Sequence, residues 1–446
     1  MSESLTGPLT GPLTGPLAGP LTGPIVALAE PFSSASLLPA VLRADGLSPV
    51  AIIDSTLPGI GALTSFRAGE YDAVIDHNGD VDGTIARLRA LGSVVGVVPG
   101  TDRVEPLCGL LAAALTPHRT NIPELAAARR NKYLSHQAVA AHGLPILRQA
   151  CSPAPEVIAA WIEREGLQGQ HLVVKPTTSA GTDGVGFAMN GDGWRELHAN
   201  LLGAVNRYGA INEEVLVQEY VTGTEYAIDT VSFDGRHSVT DLLRYRKVHN
   251  EHGMAVYDSV EWLPYDTDAY HDWLSYGLAA LDAVGLRYWA AHTEVMMTPA
   301  GPRLIEVNPR PSGAMNPVVT EVATGTSQVT RIVDVCAGRG PDLPDGFELL
   351  LPVMAVFLIA HSSGVVRNAE ILEKARALPS YHSPMFLVKT GDRVEATTDI
   401  VSSMTMGYII LAHESREQVY EDRKAIRALE RELVIEPAAS ALSEPV

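Results

Sequence analysis

Residues 290–317 read AAHTEVMMTPAGPRLIEVNPRPSGAMNP, and this stretch decides the fold. Ala290–Met297 and Arg303–Asn308 are apolar-rich runs of strand length, and Thr298–Pro302 between them is a turn of breakers. The pattern predicts a β-hairpin. If Met297 pairs with Arg303, Glu294 faces Glu306 and His292 faces Asn308. Strand side chains alternate, so Glu306 and Asn308 share one face and Glu294 joins them from the neighbouring strand. Opposed like charges destabilise a sheet unless something neutralises them, and a divalent cation would do so. Two carboxylates and an amide suit hard Mg2+ or Mn2+ better than zinc. Arg303 and Arg310 flank the group, and an arginine beside such carboxylates suggests phosphate chemistry. The same spacing fits a surface hairpin with two solvated glutamates; upstream residues bear on the choice.

Leu172–Pro176 reads LVVKP, a strand in which Val173 and Lys175 point the same way. Thr177–Gly186 follows, rich in Gly, Ser and Thr, with many unobstructed backbone N–H groups that could cradle phosphate oxygens. It is not a Walker A loop, because no Gly-Lys-Ser/Thr follows. Read alone it is also a flexible hairpin loop. Val215–Val221 is a strand, followed by Thr222-Gly-Thr-Glu225. Tyr226–Phe233 and His237–Arg244 form a hairpin around Asp234-Gly235. A basic cluster follows: Arg244, Arg246, Lys247, His249 and His252. It fits either an exposed loop or a pocket for carboxylate or phosphate. Residues 123–142 read as helical, and Lys132 there is, by itself, a solvated helix lysine.

Towards the N-terminus, residues 5–24 are four Leu-Thr-Gly-Pro tetrapeptides and one Leu-Ala-Gly-Pro. A proline every fourth residue forbids helix and the glycines forbid a stable strand, so a low-complexity disordered leader is expected. From Ile25 short strands (Ile25–Leu28, Val50–Ile53, Ala73–Ile75, Val94–Val98) alternate with helices (Ser34–Ala44, Val81–Leu91, Glu105–Leu115). That alternation predicts an α/β unit with a parallel, doubly wound sheet. No GxGxxG ends its first strand, so it reads as scaffold with part of a substrate wall. Trp273–Val284 and Gln328–Cys336 read as helices and 340–346 as a linker. The tail, 351–434, is expected to be a small separate α/β domain. Its strands would be Val353–Ile359, Met385–Val388 and Tyr408–Ala412, its helices Ala369–Leu378 and Arg416–Glu432.

The whole chain has 446 residues, enough for two to four domains, with 33 basic and 52 acidic residues, net −19. That balance argues against general nucleic-acid or anionic-membrane binding. Cys108, Cys151 and Cys336 show no metal or redox spacing and fit a reducing cytoplasm. No apolar run approaches the roughly 18–20 residues that span a membrane, and no secretory signal is expected. A homodimer is the default expectation.

Four features recur in a fixed order: a lysine at a helix start, a strand lysine before a glycine-rich loop, a Gln-Glu-x-Val…Glu segment, and a Glu…Glu-x-Asn-x-Arg hairpin. In KPTTSAGTDGVG, VLVQEYVTGTEYAIDT and HTEV…LIEVNPRPSG the chain resembles the ATP-grasp superfamily over roughly residues 25–335. The SAGTDGV loop and the tail are similar to the L-amino-acid ligase branch. The resemblance implies an ATP-grasp fold with a Rossmann-like pre-ATP-grasp domain at 25–120 and the ATP-grasp unit at 121–340. The latter would divide into a lid subdomain at about 136–217 and a large subdomain at about 218–340, with a C-terminal domain at 341–446. It also implies roles. Lys132 and Lys175, with Ser179, Gly181 and Gly184 of the loop, would contact ATP phosphates. Gln218 would reach the adenine amino group, the backbone of Glu219 and Val221 the ring edge, and Glu225 the ribose. Glu294, Glu306 and Asn308 would hold two Mg2+ (or Mn2+) ions, and Arg310 would stabilise the transferring phosphoryl group. Arg246, Lys247, Arg310 or Gly313 would meet the substrate. The implied activity joins a carboxylate, an amino acid or similar acid, to an amine through an acyl phosphate. Two alternatives are a bicarbonate-activating carboxylase, for which no biotin-type Met-Lys-Met segment is present, and a non-catalytic nucleotide-binding regulator.

Overall fold

The structure is a computed structural model that describes residues 20–58, 65–249, 255–385, 387–398 and 402–437. Strands β1 (Ile25–Ala29), β2 (Ser48–Asp54), β3 (Ala73–His77) and β4 (Val94–Pro99) form a parallel sheet in the order β3-β2-β1-β4. Every residue of β1 is buried, as a central parallel strand covered on both faces requires. Helices α1 (Leu38–Ala44), α2 (Val81–Leu91) and α3 (Glu105–Leu115) complete the expected doubly wound unit. The leader falls largely outside the described residues, but its last repeat is attached. Leu21 packs against this core and donates its N–H to the Leu91 carbonyl at 2.8 Å.

The stretch 123–142 is not one helix. Only α4 (Lys132–Ala141) is α-helical, because Asn131 caps it by accepting from the Leu134 N–H at 3.1 Å. The turns before it bury Arg129, which pairs with Glu105 and donates to the Ile122 and Val284 carbonyls. Next come β5 (Gln149–Ser152), α5 (Pro155–Arg164), β6 (Leu172–Pro176), β7 (Gly186–Ala188), α6 (Trp194–Leu201) and β8 (Val215–Glu219). They build an antiparallel sheet in the order β5-β8-β6-β7, backed by a core of Leu172, Val174, Val215, Val217 and Trp161. The alternation leaves Val173, Lys175, Leu216 and Gln218 on the opposite face, where Lys175 pairs with Leu216 and Val173 with Gln218.

The larger sheet contains β9 (Thr224–Phe233), β10 (Arg236–His249), β11 (Ala255–Leu263), β12 (Trp289–Thr298), β13 (Gly301–Asn308) and β14 (Val353–Phe357). Helices α7 (His271–Ala283), α8 (Asn316–Thr324) and α9 (Gln328–Cys336) pack on it. The tail adds β15 (Gly364–Val366), β16 (Tyr381–Met385), β17 (Arg393–Val394), β18 (Tyr408–Ala412), α10 (Arg416–Arg431) and β19 (Ile435–Glu436). The tail splits its strands: β17, β15 and β19 form a three-stranded sheet of their own, whereas the others join the central sheet. The antiparallel order is β13-β12-β9-β10-β11-β14-β18-β16, so three tail strands prolong the central sheet. The strand expected at Met385–Val388 is instead β16, which ends at Met385. Ala369–Ala377 is a 3-10 helix. Among the described residues no helix is long and apolar enough to cross a membrane.

Buried ions fasten α10 to this sheet. Glu261 accepts from Arg244, Arg416 and the Tyr420 hydroxyl, and Asp258 from Arg423 and Arg427. Burial pushes both carboxyls up, but the hydrogen bonds from Tyr420, Arg416 and Arg244 and the charges of Arg427 and Arg423 outweigh it. Both are held below the usual range. A depressed folded value gives stability that is full above the unfolded value of about 4.3 for Glu and is lost as pH falls through the folded one. Glu261→Gln is therefore expected to lower the melting temperature at pH 7, at a cost of about 2 kcal/mol. The gap from wild type should close below about pH 4. A gap that is constant in pH would show that the charge of Glu261 contributes nothing.

Candidate active site

The hairpin β12–β13 has the expected facing pairs, Glu294 with Glu306 and His292 with Asn308. The pairing near the turn differs: Met296, not Met297, faces Arg303, and Met297 faces Pro302. The register shifts between Glu294 and Val295, which leaves Ile305 as a bulge and returns the carboxylates to one face. Without that bulge a one-residue slip would send Glu306 to the opposite side.

Each glutamate meets a cation. Lys132 Nζ lies 2.9 Å from Glu306 Oε2 and donates to the Ser179 carbonyl at 2.7 Å. Asn308 Nδ2 donates to Glu306 Oε1 at 2.8 Å. Burial pushes the Glu306 carboxyl up, yet Lys132, the Asn308 amide and Lys175 together outweigh it and hold the group well below its usual range. Glu294 Oε1 lies 3.2 Å from His292 Nε2, and His292 Nδ1 lies 2.6 Å from Asp229 Oδ1. Burial pushes the His292 imidazole down, but Asp229 raises it to about 10, so it stays an imidazolium between two carboxylates. Behind it burial, and then the charge of Asp229, push the Asp241 carboxyl well above its usual range.

Lys175 projects from the lid sheet and is 7% exposed. Burial and then Lys132 push its ammonium down to about 8. Among the described residues it has no ion-pair partner, which leaves a desolvated cation aimed into the cleft. The 177–186 loop is pinned rather than loose. Thr177 and Thr178 carbonyls accept from the Lys132 N–H and Asn206 Nδ2, each at 2.8 Å, and Ser179 Oγ donates to Asp183 at 2.6 Å. Gly181 and Gly184 hold the left-handed backbone at φ +62° and +68°. At Gly184 a Cβ would also come within 2.7 Å of Leu201.

Gln218 lies on the cleft face of the lid sheet, its Nε2 donating to Gln149 at 2.9 Å. The Glu219 N–H is already taken by the Arg148 carbonyl at 3.0 Å, and its side chain by Arg148, so its amide is not a free donor. The Val221 N–H has no acceptor among the described residues. Glu225 Oε2 receives Lys247 Nζ at 2.6 Å, on the same sheet face as Glu294. Lys247 also lies over the Tyr257 ring at 5.5 Å.

Arg246 is misplaced by the sequence reading. The register shifts between Arg246 and Lys247, and Arg246 stacks on Tyr420 beside Arg244 and Glu261, on the α10 side of the sheet. It does not face the carboxylates. His252 and the side chain of His249 lie outside the described residues. Arg310 Nη1 donates to the Pro311 carbonyl at 2.9 Å, with Gly313 beside it. Its Nε lies 4.0 Å from Asp102 Oδ1.

Asp102 went unnoticed in the sequence. It sits after β4, in the unit read as scaffold, and accepts from the Tyr208 hydroxyl at 2.6 and 2.8 Å. The N-terminal unit, the lid and the hairpin therefore meet at one carboxylate. Asp229, His292 and His136 were also missed as site residues. Only His292 carried a signal, its pairing opposite Asn308.

Among the described residues no three His, Cys, Asp or Glu side chains cluster as a metal site. The set Glu294, Glu306 and Asn308 still fits a hard divalent cation, because it is all-oxygen and carries two carboxylates. Lys132 pairs with Glu306, Lys175 comes near Glu306 and Glu294 from the other sheet, and Arg310 follows Asn308 by two residues, a set of cations suited to a polyphosphate.

The chain is similar to known proteins. Residues 168–317 match the ATP-grasp domain model. Dapdiamide A synthase of Enterobacter agglomerans is 26% identical over 413 residues, 91% of this chain and 96% of that protein. The crystal structure of an L-amino acid ligase from Bacillus licheniformis superposes with a TM-score of 0.69 at 18% identity, covering 93% of this chain and 99% of that one. The ADP complex of an N5-carboxyaminoimidazole ribonucleotide synthetase gives 0.64 at 16%, covering 93% and 98%. Residues 168–317 are thus an ATP-grasp domain, in a chain similar in sequence to dapdiamide A synthase and in fold to the L-amino acid ligase.

Proposed function

We propose that the protein is an ATP-dependent carboxylate–amine ligase that forms an amide bond and releases ADP and phosphate. The observation that carries this reading is the convergence of Lys132, Lys175 and Arg310 on the Glu294–Glu306–Asn308 face. The names of its relatives, an L-amino acid ligase and dapdiamide A synthase, support an amino acid as the acid or the amine. In this reading Lys132 leaves Glu306 for the phosphates and Lys175 meets them from the lid. Burial makes that contact strong, because a desolvated ammonium gains more from an anion than a hydrated one. Gln218 and the free Val221 N–H take the base edge, and Glu225 exchanges Lys247 for ribose hydroxyls. Glu294, Glu306 and Asn308 would hold magnesium or manganese, which when bound supplies positive charge to the phosphate oxygens.

The substrate carboxylate attacks the γ-phosphorus, the bond to the ADP oxygen breaks, and Arg310 stabilises the equatorial charge. The amine then attacks the acyl carbon, loses a proton and displaces phosphate. The pinned 177–186 loop would keep water from the acyl phosphate.

The test is phosphate release with ATP and Mg2+ over pairs of amino acids, single amino acids and bicarbonate, with the nucleotide product identified. ADP formation that requires both an acid and an amine is expected. AMP with pyrophosphate would sink the acyl-phosphate route, and bicarbonate-dependent ADP would favour carboxylation.

A further inference from the structure

The side-chain amide of Gln218 is locked in one orientation. Its Nε2 lies 2.9 Å from Gln149 Oε1 and 3.3 Å from His136 Nε2. Gln149 cannot reverse to suit another arrangement, since its own Nε2 donates to the Tyr133 carbonyl at 3.2 Å. Reversal would set two carbonyl oxygens against each other. Gln149 therefore presents an oxygen to Gln218, and only a donor can meet it.

His136 makes the same demand from the other side. It is fully buried on α4, and burial followed by Lys175 pushes its imidazole down to about 3. A neutral ring has one acceptor nitrogen, and here Nε2 faces the Gln218 amide. Both protons of Gln218 Nε2 are thus taken, one by an oxygen and one by a ring nitrogen. Gln218 Oε1 has no partner among the described residues. It lies on the cleft face of β8, the face that also carries Lys175.

We propose that His136 and Gln149 are specificity-determining residues that hold Gln218 as an acceptor-only group, so that the site selects a purine with a 6-amino group and rejects a 6-oxo purine. The proposal rests on the nucleotide reading of the cleft. An amide free to turn would offer either end to the base and discriminate little. A fixed oxygen meets an amino donor well and repels an oxo acceptor, and it is left unpaired if the wrong base enters. Neither neighbour touches the base; each acts through Gln218.

The test compares kcat/KM for ATP and inosine triphosphate, which differ at purine position 6. Wild type is expected to prefer ATP by about 100-fold or more. Gln149→Leu removes the oxygen that fixes Gln218. The ratio should fall at least tenfold, mostly through a lower KM for inosine triphosphate, because the amide can then turn its NH2 to the oxo base. His136→Leu should act in the same direction. His136→Gln, which still offers an acceptor, should restore most of the preference, whereas a purely structural role would not depend on acceptor chemistry. Melting curves identify any variant that fails to fold, and the remaining variants decide the matter. An unchanged ratio in the folded variants overturns the proposal, as does a wild type that uses both nucleotides equally. A wild type that uses neither nucleotide with any acid–amine pair overturns the nucleotide reading itself, which is a different outcome.

Discussion

Replacing Arg310 with alanine is expected to lower kcat by about a thousandfold or more while changing the Kd for ATP by less than about threefold. The asymmetry follows from placement. In the proposed reading Lys132, next to the Ser179 carbonyl and Glu306, and Lys175 hold the phosphates of the bound nucleotide. Arg310 lies beyond Asn308, beside Asp102. In the proposed reading its guanidinium, held by the Pro311 carbonyl and Asp102, meets charge that develops only as the phosphoryl group leaves ADP. Arg310→Lys keeps the charge but loses the planar pair of donors, so it should recover only part of the rate. Pre-steady-state ADP formation and equilibrium nucleotide binding measure the two quantities separately. Equal losses in both would place Arg310 in ground-state binding instead.

Glu306→Ala should be nearly as severe, with a different signature. Glu306 is the partner of Lys132 and, in the proposed reading, a donor to the divalent ion. Losing that ion's contribution of several kcal/mol corresponds to about three orders of magnitude in turnover. The Mg2+ concentration needed for half-maximal rate should rise steeply. Nucleotide binding in EDTA should hold or strengthen, because Lys132 no longer has a carboxylate to leave. Glu306→Gln, which keeps an oxygen without the charge, should fall between. Turnover within tenfold of wild type at unchanged Mg2+ dependence would remove Glu306 from the metal site.

The sequence was most informative where chemistry is local. The breakers at Thr298–Pro302 and the alternation on both sides defined the hairpin, and the all-apolar Ile25–Leu28 run defined a buried parallel strand. Legibility stopped where a partner lies far along the chain. Ala255–Leu263 did not read as a strand because Asp258 and Glu261 interrupt its apolar run. Asp258 is acceptable there because Arg423 and Arg427 of α10 meet it, and Glu261 because Arg244 of β10 and Arg416 of α10 do. Arg246 was assigned to the site with Lys247 as part of one basic cluster, although strand alternation sends the two to opposite faces. Asp102 and His136 looked like ordinary loop and helix residues. Their roles come from Tyr208, Arg310 and Gln218, which the fold alone brings near.

The sheet order also has a consequence for synthesis. During translation β9–β13 leave the ribosome well before Val353–Phe357, so the open edge of β11 must wait for a partner that has not yet been made. An unpaired strand edge is a template for association with other nascent chains. The carboxylates Asp258 and Glu261 on β11, still without the arginines of α10 at that stage, would keep the waiting edge hydrated and charged until the last hundred or so residues close it.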